Sequence, residues 1–329
     1  WVRGNFFIPD ARKNWVKPSI SFLTGILQKE QIDTIITTGP PHSVHLIGQG
    51  LKTKLEVNWI ADFRDPWTSI GYHKKLKLST SSERKHKELE SLVLNSADSI
   101  VVTSQTTKKE FEAITTKPIE VITNGFDGEI SLETNLYEKF TISHIGSLLT
   151  GRNPESLWQV LGELIQENKD FEECFQLRFA GVVSEDVMQS ITKAGLENYV
   201  DFVGYVSHQK ALEYQHKSQV LLLVEIDSPD TEGIIAGKLF EYLKAKRPIL
   251  GIGPKKWDVA QIVNETNTGS VFDYTEKNQL KRLLLEWFKA YQTKELEVSS
   301  KNIEQYSRKE LTKKLAKHLY GYRSYTIYK

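Results

Sequence analysis

Apolar residues follow two different patterns along this chain. Short apolar runs predict buried β-strands, and stretches with apolar residues three and four apart predict helices packed on those strands. The predicted strands cover residues 34–37, 57–61, 99–102, 120–122, 140–145, 176–180, 200–203, 219–224, 248–252 and 270–272, and the apolar run 6–9 predicts one further strand end. The predicted helices cover residues 18–27, 44–51, 83–94, 104–111, 154–165, 280–291 and 308–320. Strands that alternate with helices indicate βαβ units and parallel sheets.

The chain length and one polar interruption divide this pattern into two series. A length of 329 residues suggests about two domains. A turn signal at residues 124–127, followed by polar residues, separates the two series of strands. We therefore expect an α/β chain of two Rossmann-like, doubly wound parallel-sheet domains facing a cleft, at residues 1–129 (incomplete at its start) and 130–305. Residues 306–329 are expected to form a terminal helix that can cross back to the first domain.

Charge and cysteine content exclude several classes of function. Lys and Arg number 43 and Asp and Glu number 42, so no field of one sign favours nucleic acid as a partner. Cys174 is the only cysteine, which excludes intramolecular disulfides and Cys-based metal sites and favours a reducing cytoplasm. No apolar run reaches the roughly 18 residues of a membrane span.

Two further features concern the surface and the start of the chain. Lys-rich stretches at residues 74–87 and 313–317 are either solvated faces or contacts to an anionic membrane surface, which would make the protein peripheral at the membrane. The chain begins at Trp1 on what has the pattern of mid-domain sequence, so we expect that an upstream segment is missing.

The stretch from residue 226 to residue 250 carries the strongest chemical signal. A buried strand is followed by a glycine-bearing loop, a helix start and a return strand, which in an open α/β sheet is the usual place for an anionic ligand. Lys238 would add positive charge, and Glu241 would accept hydrogen bonds from sugar hydroxyls. The candidate binding residues in this stretch are Glu232, Ile234, Ile235, Lys238 and Glu241.

Three other loops hold candidate residues at strand ends. The loop from Gly146 to Arg152 precedes a helix that we expect Asn153 to cap, with Pro154 at its first position. His42 follows the strand at 34–37. A charge cluster of Asp62, Arg64 and Asp65 follows the strand at 57–61, where one carboxylate could accept a proton.

Six sequence pieces, in order along the chain, resemble one enzyme family. The pieces are TGPPHSVHLIG (38–48), ADFRDPW (61–67), NGFD (124–127), HIGSLLTGRNPESL (144–157), FVGYVS (202–207) and GKLFEYLKAKRPIL (237–250). They resemble glycosyltransferase family 4 of the GT-B fold, in the bacterial subgroup that makes cell-surface polysaccharides.

This resemblance implies a metal-independent enzyme that transfers a sugar, with retention at the anomeric carbon, from a nucleoside diphosphate sugar to a polysaccharide or lipid-linked acceptor. The nucleotide sugar is the co-substrate, no cofactor is implied, and the second domain would hold the donor while the first holds the acceptor. Glu241 would contact the ribose, and Gly146, Arg152 and Lys238 the diphosphate. Asp62, Asp65 and His42 are the candidate catalytic residues.

The chain departs from the family pattern at four places. The usual pair of glutamates eight positions apart would place the first at Gly233, and the nearest acid is Glu232. Ser147 stands where the commoner pattern has Arg. The loop after residue 61 lacks the family's His, and the family's opening strand and glycine-rich loop have no counterpart before Trp1.

Alternatives remain open at this stage. A nucleotide-sugar epimerase or hydrolase shares the fold, and a non-catalytic nucleotide-sugar-binding remnant is a third hypothesis. Arg152 and Lys238 could be surface cations, and Glu241 could be an i,i+3 partner of Lys238 on an exposed helix face. The charges around Asp62 could form an ion-pair network that holds the loop.

Overall fold

The computed structural model describes residues 1–128 and 135–326, without the side chains of Tyr72 and of residues 320–326. The chain divides into two compact units, the first formed by Trp1–Thr123 with Thr312–Lys329 and the second by Asn124–Leu311. The predicted domain boundary between residues 129 and 130 lies outside the described residues.

The first unit is a four-stranded parallel sheet whose strand order, β1-β2-β3-β4, follows the chain. Its strands are β1 (Thr34–Gly39), β2 (Asn58–Phe63), β3 (Ser99–Val102) and β4 (Ile119–Val121). Its helices are α1 (Val2–Phe6), α2 (Val16–Lys29), α3 (Ser43–Lys54), α4 (Gly71–Lys74), α5 (Thr80–Ser96) and α6 (Gln105–Glu112). Because parallel crossovers are right-handed, strands in chain order place α3, α5 and α6 on the same face of the sheet.

The central strand β2 shows why this sheet forms. Trp59, Ala61 and Phe63 are fully buried and pack with apolar residues of β3, α5 and α6. Asp98, just before β3, accepts hydrogen bonds from the Trp59 amide at 2.8 Å and from Lys52 Nζ at 2.6 Å. This carboxylate therefore ties the start of β2 to α3 while the apolar face is buried.

The second unit is a six-stranded parallel sheet with the order β10-β9-β8-β5-β6-β7. Its strands are β5 (Phe140–Ile145), β6 (Phe175–Ala180), β7 (Val200–Phe202), β8 (Val220–Val224), β9 (Ile249–Ile252) and β10 (Gly269–Phe272). Its helices are α7 (Glu155–Glu167), α8 (Lys169–Cys174), α9 (Glu185–Lys193), α10 (His208–Lys217), α11 (Lys238–Ala245), α12 (Asp258–Thr266) and α13 (Lys277–Gln292). The strand order reverses direction between β5 and β8, the two adjacent strands from which the chain winds outward.

Both faces of this sheet are covered, as the unbroken apolar run of β8 predicts. Val220, Leu222 and Val224 pack into the apolar cluster that includes α7 and α13, whereas Leu221 and Leu223 pack into the cluster that includes α11 and α12. Side chains alternate along a strand, so a run buried at every position requires helices on both sides. The predicted class, α/β with two parallel-sheet domains, is confirmed.

A last helix, α14 (Arg308–Thr326), begins in the second unit and continues in the first. Within the first unit Lys314 Nζ lies 2.8 Å from Glu120 Oε1, and His318 contacts the hydroxyl of Ser99. Across the described residues, none of the helices is both long enough and apolar enough to cross a lipid bilayer.

Two local predictions are wrong. The run at residues 6–9 is not a strand end, because α1 ends at Phe6 and bends follow; Phe6 and Phe7 remain exposed and Pro9 has no amide hydrogen to donate. Asn153 does not cap α7, which begins at Glu155. Its side chain instead accepts from Trp158 Nε1 and donates to Ser190 Oγ, both at 2.8 Å.

Candidate active site

The reversal of strand order in the second unit brings the carboxyl ends of β5 and β8 side by side. Ligands of open α/β sheets bind in the crevice outside such a switch point, because the loops from the two strands diverge there. Strand β5 leads into Gly146, and β8 leads into Glu225 and the loop to α11. Lys238, the first residue of α11, lies over the same point.

Two glycines shape the loop after β5. Gly146 has a φ of +110°, and a Cβ on it would lie 2.9 Å from Lys238 Nζ. Gly181, with a φ of +141°, lies so close that its Cβ would be 2.4 Å from the carbonyl oxygen of Gly146. Any larger residue at either position would displace the loop or the lysine. This close approach places the Lys238 ammonium directly over the loop backbone.

Lys238 is held next to a buried histidine. His144 Nδ1 lies 3.0 Å from the carbonyl oxygen of Leu222 and so must donate its hydrogen, which leaves Nε2 as an acceptor for Lys238 Nζ at 3.2 Å. Burial, followed by the nearby Arg152, lowers the pKa of Lys238 to about 8. Burial and the Lys238 charge hold the pKa of His144 well below its usual value. An anion bound here would stabilise the charged form of the lysine.

Arg152 forms a two-pronged ion pair with Glu225. Its Nε and one terminal nitrogen lie 3.0 and 3.1 Å from the two oxygens of Glu225. The Arg152 side chain is 32% exposed, whereas that of Glu225 is only 2% exposed. Sequence reasoning missed Glu225; the signal available was its position directly after the apolar run of β8.

Glu241 faces two side chains from α10. His208 Nε2 lies 3.1 Å from one carboxylate oxygen, and Gln215 Nε2 donates to the other at 2.7 Å. The expected alternative of an exposed pair with Lys238 is not what forms, because the Lys238 ammonium is directed to His144. Neither His208 nor Gln215 was predicted, since their contact with α11 depends on how two helices pack.

The loop between β8 and α11 is held by a hydrogen bond within the loop and by two from Trp257 and Asp258, at the start of α12. The Ile234 amide donates to the Thr231 carbonyl at 3.0 Å, and the Ile234 carbonyl accepts from Trp257 Nε1 at 2.7 Å. Ile235 packs against the apolar cluster beneath. Glu232 is half-buried, and its carbonyl accepts from the Asp258 amide at 2.9 Å. The roles predicted for Glu232, Ile234 and Ile235 stay predictions.

In the first unit, His42 occupies the position before α3. Its ring stacks on Trp67 with centroids 4.8 Å apart and planes 4° apart. The residue is 5% exposed, and both ring nitrogens lack a hydrogen-bond partner. Burial lowers the pKa of His42 to about 4, so the ring is neutral near pH 7.

The charge cluster at the carboxyl end of β2 contains a local ion pair. One guanidinium nitrogen of Arg64 lies 3.3 Å from Asp62 Oδ1 and donates to the Ile122 carbonyl at 3.2 Å. Burial raises the pKa of Asp62 and of Asp65, and the neighbouring Arg64 opposes that shift in both. A carboxylate with a raised pKa is suited to accept a proton.

The structure places two of the predicted catalytic residues, His42 and Asp62, on opposite faces of β2. His42 lies on the face of β2 that carries Phe63, with ring centroids 5.9 Å apart. Asp62 precedes Phe63 in the strand and so points to the opposite face. The described residues contain no group of three or more His, Cys, Asp or Glu side chains that could hold a metal ion.

Comparison with known proteins gives a family match in the first unit. Residues 1–129 match the sequence model of Glycosyltransferase Family 4. These residues belong to that family. For these residues the predicted resemblance to family 4 is confirmed. A search of curated proteins found no match.

Solved structures show the fold of the whole chain. Anabaena HepE in complex with UDP superposes with a TM-score of 0.70 at 14% identity, over 92% of this chain and 82% of that chain. Sucrose-phosphate synthase from Thermosynechococcus elongatus gives 0.64 at 14% identity, over 97% and 80%. A putative UDP-N-acetylglucosamine 2-epimerase from Listeria monocytogenes gives 0.54 at 12% identity, over 94% and 80%. The chain thus has the predicted GT-B fold.

Proposed function

We propose that this protein is a glycosyltransferase that moves a sugar from a UDP-sugar to a glycan or lipid-linked acceptor, with retention at the anomeric carbon and without a metal ion. The observation that carries the proposal is Lys238, held half-buried over the Gly146 backbone at the switch point of the second sheet. In the part of the chain that the structure describes, no carboxylate forms an ion pair with this ammonium. A diphosphate would supply the missing negative charge.

The chemistry required of this site is stabilisation of a leaving diphosphate. Lys238 and Arg152 carry positive charge beside the loop, and α11 starts at Lys238 with its preceding residue, Gly237, open to solvent. Helix N-termini and fixed cations stabilise developing negative charge without reorganisation. Positioning of the acceptor hydroxyl on the same face of the donor sugar would then give retention.

Glu241 is the proposed ribose ligand. His208 and Gln215 hold one carboxylate oxygen each, which fixes the carboxylate plane on the first turn of α11. Each carboxylate oxygen has two lone pairs, so both ribose hydroxyls can still donate to Glu241. The choice of UDP over other nucleotides is supported by HepE, which was crystallised with UDP and with UDP-glucose.

A thermal-shift panel of UDP, GDP, ADP and dTDP tests the proposal. A ligand at about 100 times its dissociation constant adds about 2.7 kcal/mol of stability. For a domain of this size that corresponds to a rise in Tm of roughly 5 to 10 °C. We expect this rise with UDP and a much smaller one with the other three nucleotides. A flat response to all four would contradict the donor site.

Turnover separates the transferase from the epimerase alternative. The structural similarity to the Listeria epimerase is the reason to test for epimerase activity. The family match over residues 1–129 favours sugar transfer. A transferase consumes its UDP-sugar slowly until an acceptor is added. Rapid consumption or isomerisation of the donor without acceptor would favour an epimerase or hydrolase, and binding without turnover would favour a non-catalytic protein.

A further inference from the structure

A cavity of about 580 Å³ lies within the first unit, and neither the donor site nor the family match accounts for it. Its walls come from the segment before α2, the Pro40-Pro41-His42 turn, Trp67, the residues around α4 and one side chain of α5. The volume falls in the range of about 300–1,000 Å³ that is usual for small-molecule sites.

Three histidines line this cavity and present unsatisfied nitrogens. Two ring nitrogens of His42 and one each of His73 and His86 are buried without a hydrogen-bond partner. The rings of His73 and His86 meet edge to face with centroids 4.7 Å apart. His86 Nδ1 accepts from Trp67 Nε1 at 3.1 Å, which puts the hydrogen of that neutral ring on Nε2. A buried polar atom without a partner costs about 1–3 kcal/mol, so a ligand that supplies oxygen acceptors would be stabilised here.

The charged residues of the cavity are mostly cationic. Arg3, Arg12 and Lys75 line it together with a single carboxylate, Asp10. Asp10 is already used, because it accepts from the amide and the hydroxyl of Ser43 at 2.8 and 3.0 Å and from the Arg12 amide at 2.8 Å. Asp10 therefore fixes the start of α3 and the position of Arg12. Among the described residues, no carboxylate forms an ion pair with any of the three cations.

We propose that this cavity binds a phosphate group, as a mono- or diester, carried by the acceptor of the transfer reaction. The word acceptor rests on the proposed function; the phosphate site itself rests only on the first unit. The cations at the rim would attract the anion, and the N–H groups of the histidines would donate to its oxygens. Burial keeps these rings neutral before binding, which leaves each with one donor nitrogen.

Imidazole NMR of the protein tests the phosphate site directly. With ¹⁵N-labelled histidine, titration with inorganic phosphate should shift the ring signals of His42, His73 and His86 in a saturable way. His216, in the second unit, should not move. Because His144 and His208 lie at the donor site, they should respond to UDP instead. If UDP does not shift His144 and His208, the proposed function is contradicted. If UDP shifts them but phosphate does not shift His42, this inference is overturned and the proposed function stands.

Variants and ligand sources complete the test. Arg12→Gln should weaken phosphate binding about tenfold, since it removes one charged partner, and His42→Gln should also weaken it. Arg84→Gln, an exposed cation on α5 outside the cavity, is the matched control. Equal affinity in all three would overturn the inference.

The source of the phosphate is decided by comparing three probes. Glucose 1-phosphate should shift the same three histidines if the acceptor is a sugar phosphate, and phosphatidylglycerol vesicles should do so if it is a lipid-linked one. Either response supports the phosphate site. Glucose is the neutral control, and a shift with glucose as large as that with glucose 1-phosphate would contradict anion recognition.

Discussion

Replacement of Arg152 should affect both stability and donor binding, and the two effects can be separated. Glu225 is 2% exposed and would be left as a buried carboxylate without its cation after Arg152→Met. Removing one partner of a buried pair costs about 3–5 kcal/mol. Because the Arg152 side chain is 32% exposed, water screens part of that pairing, and we expect about 2–3 kcal/mol.

The double variant Arg152→Met with Glu225→Gln tests this reasoning. In the native protein, the Ile226 amide donates to Glu225 Oε1 at 2.8 Å. A glutamine at position 225 keeps an oxygen for this hydrogen bond and carries no charge, so no unpaired charge is buried. The double variant should therefore regain at least half of the stability lost by Arg152→Met. The UDP affinity should stay low in both, since neither has the cation.

Urea unfolding measures the stability of these variants, and isothermal titration calorimetry measures their affinity for UDP. Unchanged stability in Arg152→Met would refute the buried-charge argument. Full UDP affinity in the double variant would show that Arg152 serves only the structure of the loop.

Two further predictions concern substitutions of single residues. The pKa of His42 is about 4 in the folded protein and about 6.5 when unfolded, so only the unfolded state takes up this proton between those values. The contribution of His42 to stability should therefore fall by about 3 kcal/mol from pH 6.5 to pH 4. Urea unfolding against pH checks it, and a slope that is undiminished in His42→Leu would contradict it. Gly146→Ala should cost about 1–3 kcal/mol of stability and lower UDP affinity at least tenfold, because the new methyl meets Lys238. Gly195→Ala, also at positive φ but with open space around it, should lose stability only, and equal UDP affinity in the two variants would argue against the steric effect.

The sequence predicted the strands well because burial on both faces leaves an unbroken apolar run. The run 219–224 is β8 almost to the residue, and the glycine and lysine that follow it mark the helix start. Gly146 and Lys238 could be proposed as neighbours because switch-point loops converge. Strand alternation alone also indicates that Asp62 and Phe63 point to opposite faces.

Other parts of the site depend on packing that no local pattern records. Arg152 and Glu225 are far apart in sequence, and their pairing follows from the β5–β8 adjacency. His144 lies in an apolar strand, where a histidine gives no sign that its ring supports a lysine. The meeting of His42, His73 and His86 requires α3, α4 and α5 to lie on one face of the sheet.

Calorimetric titration of UDP into Lys238→Gln tests the central claim most directly. One charge-assisted hydrogen bond contributes about 1.5–3 kcal/mol, so the affinity should fall about 10- to 150-fold relative to the native protein. Lys244→Gln, on the same helix but with its ammonium on the Asp127 carbonyl, should bind UDP like the native protein. Equal UDP affinity in the native protein and Lys238→Gln would contradict a donor site at the β5–β8 switch point.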